Sequence, residues 1–147
     1  MSTISLTIPG PPVGKQRARI CRTGHYTPAK TVNYETLIKE LFAIAYPNHV
    51  PFSGPISLQV RAFIAPSKAD AGKLKRTPRL RPTKKPDLDN IIKLVCDALN
   101  GLAYADDKQI VAVLSGKNYS DQPRTEIIVE ETELIAPDRR ENKNWRF

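Results

Sequence analysis

Residues 86–101 read PDLDNIIKLVCDALNG, and residues 104–110 read YADDKQI. In the first stretch Leu88, Ile91, Ile92, Val95, Ala98 and Leu99 recur at the spacing of one helical face, which predicts an amphipathic helix with its apolar stripe against a core. Both ends are marked. Asp87 or Asp89 can cap the start, and Asn100-Gly101 is a stop signal. Asp89, Lys93 and Asp97 are spaced four apart and so line the polar side. Such a helix needs partners to bury its stripe, and the flanking sequence supplies them.

Upstream, Ile4, Leu6 and Ile8 alternate with Ser5 and Thr7, the period of a half-buried strand, until Gly10-Pro11-Pro12 ends it. Residues 13–30 carry Lys15, Arg17, Arg19, Arg22 and Lys30 with no acidic residue, and are expected to form a loop or irregular hairpin. From Thr31, a candidate cap, the positions Tyr34, Leu37, Ile38, Leu41, Phe42 and Ala45 fall on one helical face, and Pro47 limits the helix. Ile56, Leu58, Val60, Ala62 and Ile64 alternate as a second strand. Residues 68–85 then hold eight Lys or Arg against the single Asp70. They are expected to be a long basic loop that gains order on a phosphate backbone, because structureless connections of this length are usually functional or disordered.

Downstream of the turn at 102–107, residues 110–114 are expected as a buried strand and 125–130 as another. The order is β-α-β-α-β-β. It predicts an α+β fold over residues 1–136: one small domain with a mixed four-stranded sheet packed against two helices. Residues 137–147 read as a basic tail, in which Trp145 either stacks on a base or simply packs.

With 23 Lys and Arg against 15 Asp and Glu, the formal net charge is +8 and the pI is near 9.7. Such a balance attracts polyanions, nucleic acid first. A membrane partner is not expected, since there is no strongly basic amphipathic helix, no run of about eighteen apolar residues and no leader-like N-terminus. Cys21 and Cys96 stand far apart and form no C-x-x-C, which fits reduced thiols in a cytoplasmic protein. His25 and His49 are isolated, so a zinc site would lack ligands. No P-loop, G-x-S-x-G or G-x-G-x-x-G occurs.

The acidic pairs stand out against this charge, and two readings compete for them. In one, Asp87 and Asp89 serve the helix N-terminus, satisfying orphan N–H groups and the positive end of the dipole, while Asp106 and Asp107 form a turn. In the other, the two pairs converge on a magnesium ion, which takes oxygen ligands, retains waters and commonly uses only a few carboxylates beside substrate phosphates.

The run K-P-D-L-D-N-x-x-K-x-x-x-D-A-L-N-G, followed by Y-x-D-D-x-Q-I and then Lys117, resembles the RusA family of Holliday junction resolvases, endodeoxyribonucleases of bacteria, prophages and phages. The likeness is close over residues 84–117 and looser over the first strand, basic segment and Tyr-containing helix. It implies that Asp87, Asp89 and Asp107 are catalytic acids that bind Mg²⁺, with Mn²⁺ as a substitute, and that Lys93 is the basic residue needed for cleavage. It also implies branched DNA as substrate and a homodimer with two active sites. Asp106 is left open between turning the chain, capping and binding a water, and Asp97 is expected to pair with Lys93. Lys15, Arg17, Arg19, Lys84, Lys85 and Lys117 are the candidate phosphate contacts. The rival readings are a non-catalytic basic DNA-binding module and a metal phosphohydrolase acting on linear nucleic acid.

Overall fold

Alternation along the strands decides which face of the sheet is dry. The computed structural model describes residues 2–132, so the basic tail expected from residue 137, with Trp145, lies outside the described residues. Strand β1 (Thr3–Pro9) buries Ile4, Leu6 and Ile8 and exposes the residues between them. Strand β4 (Ile56–Ile64) buries Ile56, Leu58, Val60 and Ala62 completely. Strand β6 (Arg124–Glu131) does the same with Thr125, Ile127 and Val129. With β5 (Ile110–Tyr119) they form a sheet of order β1-β6-β4-β5, antiparallel except for the parallel β4–β5 pair. The sheet is therefore mixed, as the element order suggested. A parallel pair needs a long crossover, and residues 65–109 provide it.

Helix α1 (Ala29–Ala45) buries Thr31, Tyr34, Ile38 and Phe42. Thr31 is not its cap. The helix begins two residues earlier, after Pro28, which needs no N–H partner there, and the fully buried Thr31 hydroxyl instead accepts from the Gln16 amide at 3.2 Å. Helix α3 (Leu88–Leu99) buries Ile91, Leu94, Val95, Ala98 and Leu99, and Gly101, at φ 79°, takes the left-handed turn that ends it. Both helices pack against each other, α1 against β1 and α3 against β4 and β5. The acid-free segment contains a two-stranded hairpin, β2 (Arg19–Cys21) with β3 (Gly24–Tyr26), separate from the main sheet.

Two further expectations are corrected. Residues 110–114 are not a buried strand. They open an edge strand, paired on one side to β4, with Val111 67%, Val113 44% and Leu114 62% exposed. Nor are residues 68–85 a structureless loop, because a third helix, α2 (Lys68–Arg76), begins them. Its Ser67 hydroxyl accepts from the Asp70 amide, Asp70 lies in the first turn and Lys73, Lys75 and Arg76 in the last, so cap and charges both suit the helix dipole. The Asp70 carboxylate is buried and accepts from the Lys84 ammonium at 3.1 Å and the Tyr119 hydroxyl at 3.0 Å. One acid thus ties the basic connection to the end of β5.

The Lys84 and Tyr119 hydrogen bonds hold Asp70 below the ordinary aspartate value of 3.8, against the opposing effect of burial. A depressed folded pKa adds stability that is fully present above the ordinary value and is lost as pH falls through the lower one. Asp70→Asn is therefore expected to melt below the wild type at pH 7, with the gap closing as the pH falls from the ordinary aspartate value of 3.8 through the lower folded one; thermal melts from neutral pH into that acid range check it, and a gap independent of pH would rule the network out.

Candidate active site

Asp87 occupies the N-cap position of α3 with extended dihedrals, φ −70° and ψ 138°. Its backbone carbonyl accepts the Ile91 amide at 3.1 Å, as an N-cap carbonyl should, yet its side chain makes no capping hydrogen bond. Asp89 follows in the first turn, and both residues are exposed. Among the described residues neither carboxylate forms an ion pair. The capping reading asked Asp87 to bond an orphan N–H; the helix start leaves the carboxylate facing solvent instead.

The turn that displays these acids is held from two sides. Residues 12–15 lie across it as a strap, with the Lys15 amide donating to the Asn90 carbonyl at 2.8 Å. A Cβ on Gly14 would stand 3.1 Å from the Asn90 Cβ and 3.3 Å from the Pro86 Cβ, tighter than an ordinary contact, so a larger residue would push these neighbours by a few tenths of an ångström. The Lys15 ammonium pairs with Glu35 on α1 and, at 3.1 Å, with Asp97 on α3. Burial disfavours its charge, but the two carboxylates more than offset this and raise its pKa. Asp97 therefore pairs with Lys15 and not with Lys93, because the strap places Lys15 between the two helices. From the other side the Lys117 ammonium donates to the carbonyls of Lys84 and Pro86 at 2.6 and 3.0 Å. Beside Asp87 opens a cleft of about 330 Å³, with Gln16, Lys30, Lys85 and Asn90 in its wall.

The second acidic pair divides its labour. Asp106 caps a 3-10 turn (Asp107–Gln109): its side chain accepts from the Lys108 amide at 3.0 Å, and the Gln109 side chain accepts from the Asp106 amide at 2.8 Å. Gln109 also donates to the carbonyls of Phe52 and Gly54 at 2.8 and 2.9 Å. Tyr104 is buried, and its hydroxyl donates to the Cys96 carbonyl at 2.8 Å. The Tyr, the first Asp and the Gln of Y-x-D-D-x-Q-I are scaffold. Asp107 is what the scaffold presents. Its carboxyl is raised above the ordinary range, first by its hydrogen bond with Asp106, then by desolvation and the negative charges of Asp106 and Asp97. Burial and the charges of Asp107 and Asp97 likewise push the Cys96 thiol up to about 11.

Asp107 thus feels the C-terminal half of α3, whereas Asp87 lies ten positions before Asp97, roughly 15 Å along a helix axis. Among the described residues no group of three or more His, Cys, Asp or Glu side chains is close enough to hold a metal ion. Asp87 and Asp89 share the start of α3, while Asp107 adjoins Asp106 and lies within electrostatic reach of Asp97. Lys93 is exposed on α3 with no ion pair among the described residues. The donor chemistry of Asp87 and Asp89 suits a hard cation of the magnesium type, which binds through one or two carboxylates and completes its shell with water and phosphate oxygens. His49 is committed elsewhere, bonding the Ala103 carbonyl at 2.9 Å and packing edge-on against Phe42 and Phe52.

Of the basic candidates, Arg17, Arg19 and Lys85 are exposed without an internal ion pair among the described residues. Lys84 is paired to Asp70 yet 70% exposed, while Lys15 and Lys117 are engaged in the scaffold. The sequence reading did not single out Lys30 and Asn90 for the cleft, nor Gln109 as an anchor; position in a motif was the only signal for the last. Gln109→Ala leaves the Gly54 carbonyl and the Asp106 amide without partners, while the Phe52 carbonyl keeps the Ala105 amide, and is expected to cost about 1–3 kcal/mol in chemical denaturation; an unchanged midpoint would contradict the anchoring role.

The model of the family described as Endodeoxyribonuclease RusA matches residues 9–130. The chain is also 36% identical over 143 residues to a Bacillus subtilis (strain 168) protein described as uncharacterized protein YqaN, covering 89% of this chain and 98% of that one. The family match takes in both acidic pairs, the strap, β4, β5 and all of β6 but its last residue, and reaches only the last residue of β1. This chain belongs to the RusA endodeoxyribonuclease family, enzymes that hydrolyse DNA at Holliday junctions.

Proposed function

We propose that this protein is a Mg²⁺-dependent, structure-selective endonuclease that resolves four-way junctions by paired nicks during DNA recombination and repair. The observation that carries the reading is Asp87: at a helix N-cap, without a capping bond, beside a cleft whose wall includes Lys30 and Lys85. Asp87 and Asp89 would hold the ion; Asp107, held near the other end of α3, stays a candidate acid but is not placed to reach that ion within one chain. The metal, when bound, supplies Lewis-acid polarisation of the scissile phosphate and a more acidic water.

The chain's own groups do the rest. Lys93, four residues from Asp89 on the exposed side of α3, offsets charge that develops on the phosphate. Lys30, Lys85 and Gln16 hold the strand in the cleft, and Arg17 and Arg19 hold the backbone beyond it. Lys15 and Lys117 serve as positioning residues, since their ammonium groups are already bonded within the protein. Uncompensated carboxylates repel DNA phosphates, whereas the surrounding Lys and Arg attract them, so binding and cutting respond differently to the ion.

A four-way junction is nearly two-fold symmetric, and two nicks call for two active sites related by a dyad. A homodimer suits that, and the edge of β5, unpaired among the described residues, with its exposed Val111, Val113 and Leu114 supports it. Two free cysteines fit work in the cytoplasm. No helix among the described residues is long and apolar enough to cross a membrane.

The test incubates wild type and Asp87→Asn with a synthetic four-way junction, a three-way fork and a linear duplex, with and without Mg²⁺. Paired nicks confined to the junction and dependent on Mg²⁺ are expected, with cleavage by Asp87→Asn down roughly 100-fold or more and junction binding retained. Equal cutting by the mutant would remove Asp87 from the site. Equal cutting of linear duplex would make the enzyme a general nuclease, and tight binding without product a binding module.

A further inference from the structure

The hairpin of β2 and β3 takes little part in the fold. Among the described residues its strands pair with each other alone, Arg19 opposite Tyr26, Ile20 opposite His25 and Cys21 opposite Gly24, and all six residues are exposed. Ile20 is 82% exposed and Tyr26 47%. Around them stand Arg17, Arg19 and Arg22, and residues 15–30 contain no acid to neutralise them. The hairpin is also well placed. It springs from Gln16 and returns to Lys30, both of which lie in the wall of the cleft beside Asp87.

An aliphatic and an aromatic side chain held in water on a cationic ribbon match a polyanion that has an apolar interior. DNA has one, between its base pairs, and proteins that bend or open it insert Ile, Leu or Phe into a base step while arginines hold the flanking phosphates. Aromatic side chains stack on bases so exposed. A second copy of the same hairpin is the wrong occupant, because it would bring like charges together without counter-ions.

We infer that the hairpin is a branch-point wedge: Ile20 inserts between base pairs at the centre of a branched DNA, Tyr26 stacks on a base freed there, and Arg17, Arg19 and Arg22 grip the phosphates on either side. This rests on the branched-DNA reading above and adds how the substrate is opened next to the cleft. A branch point already has weakened stacking, so insertion costs least there. Selectivity for junctions over linear duplex then follows from the hairpin and not from the acids.

The experiment uses the full chain carrying Asp87→Asn, so that DNA stays uncut, and a four-way junction with 2-aminopurine at the branch point or in mid-arm. Binding is expected to raise fluorescence at the branch point and not in the arm. Adding Ile20→Ala should abolish most of that rise at saturating protein, while Ile20→Phe restores it. An equal rise with Ile20→Ala, or an equal rise in the arm, overturns the wedge. Cleavage by wild type on the same junction is scored in parallel. If wild type nicks the junction and the rise ignores Ile20, the wedge fails and the nuclease reading stands; if wild type neither binds nor nicks, both fail. Ile20 is exposed, so far-UV circular dichroism of Ile20→Ala should match the parent.

Discussion

Ile91, Leu94, Val95, Ala98 and Leu99 are wholly removed from solvent on one face of α3, and each of the larger ones contributes about 1.5–3 kcal/mol by burial. That burial sets the rotation of the helix. Once the apolar stripe is committed to the sheet and to α1, Asp89 and Lys93 have nowhere to point but outward, and Asp87 stands where the helix begins. Turning α3 by a third of a revolution would bury a charge and expose a leucine, so the display of these groups is a consequence of packing. The same stripe fixes the distance between the two acidic pairs, because Asp87 is at one end of α3 and Asp107 is held against the other.

The charged residues around the site have been sorted by the fold into two kinds. Lys15, Lys117 and Lys84 spend their ammonium groups on Asp97 and Glu35, on two carbonyls, and on Asp70. These bonds tie the strap to α1 and α3, β5 to the residues just before α3, and Lys84 back to α2. Among the described residues Arg17, Arg19 and Lys85 make no such bonds, which leaves them to an anion. A similar division runs through the acids. Asp70, Asp97 and Asp106 are structural, and Asp87, Asp89 and Asp107 are the ones presented. In a chain with so many charges of both signs, internal pairing removes some from the surface and leaves the remainder as a pattern.

The second pair shows how a motif splits into support and display. Gln109 reaches three backbone groups and Tyr104 fastens the turn to α3, so the short segment between helix and strand is over-determined for its length. A carboxylate on such a turn loses little entropy when it is called on to bind. The hairpin is the opposite case. It makes no strand pairing with the main sheet, and its apolar residues stand in solvent, which suits an element that is completed by its substrate.

The sequence by itself determined what repeats locally. Period-2 runs gave β1, β4 and β6, the 3.6-residue stripe gave α1 and α3, and Pro47 and Asn100-Gly101 marked their ends, since side-chain direction along a strand or helix depends on nearest neighbours alone. It also held the motif by which the family is known. Tertiary structure decided the rest. Whether residues 110–114 are central or at the edge depends on which strand lies beside them, and Val111 and Leu114 look the same in sequence either way. The helix at 68–76 hides in a charged stretch with no apolar stripe, because it is stabilised by a cap and by Asp70 bonding residues far along the chain. Which lysine pairs with Asp97 was equally illegible: spacing pointed to Lys93 on the same helix, and a strap from distant sequence put Lys15 there instead, because an ion pair is set by distance in space and the chain's own order carries no record of that.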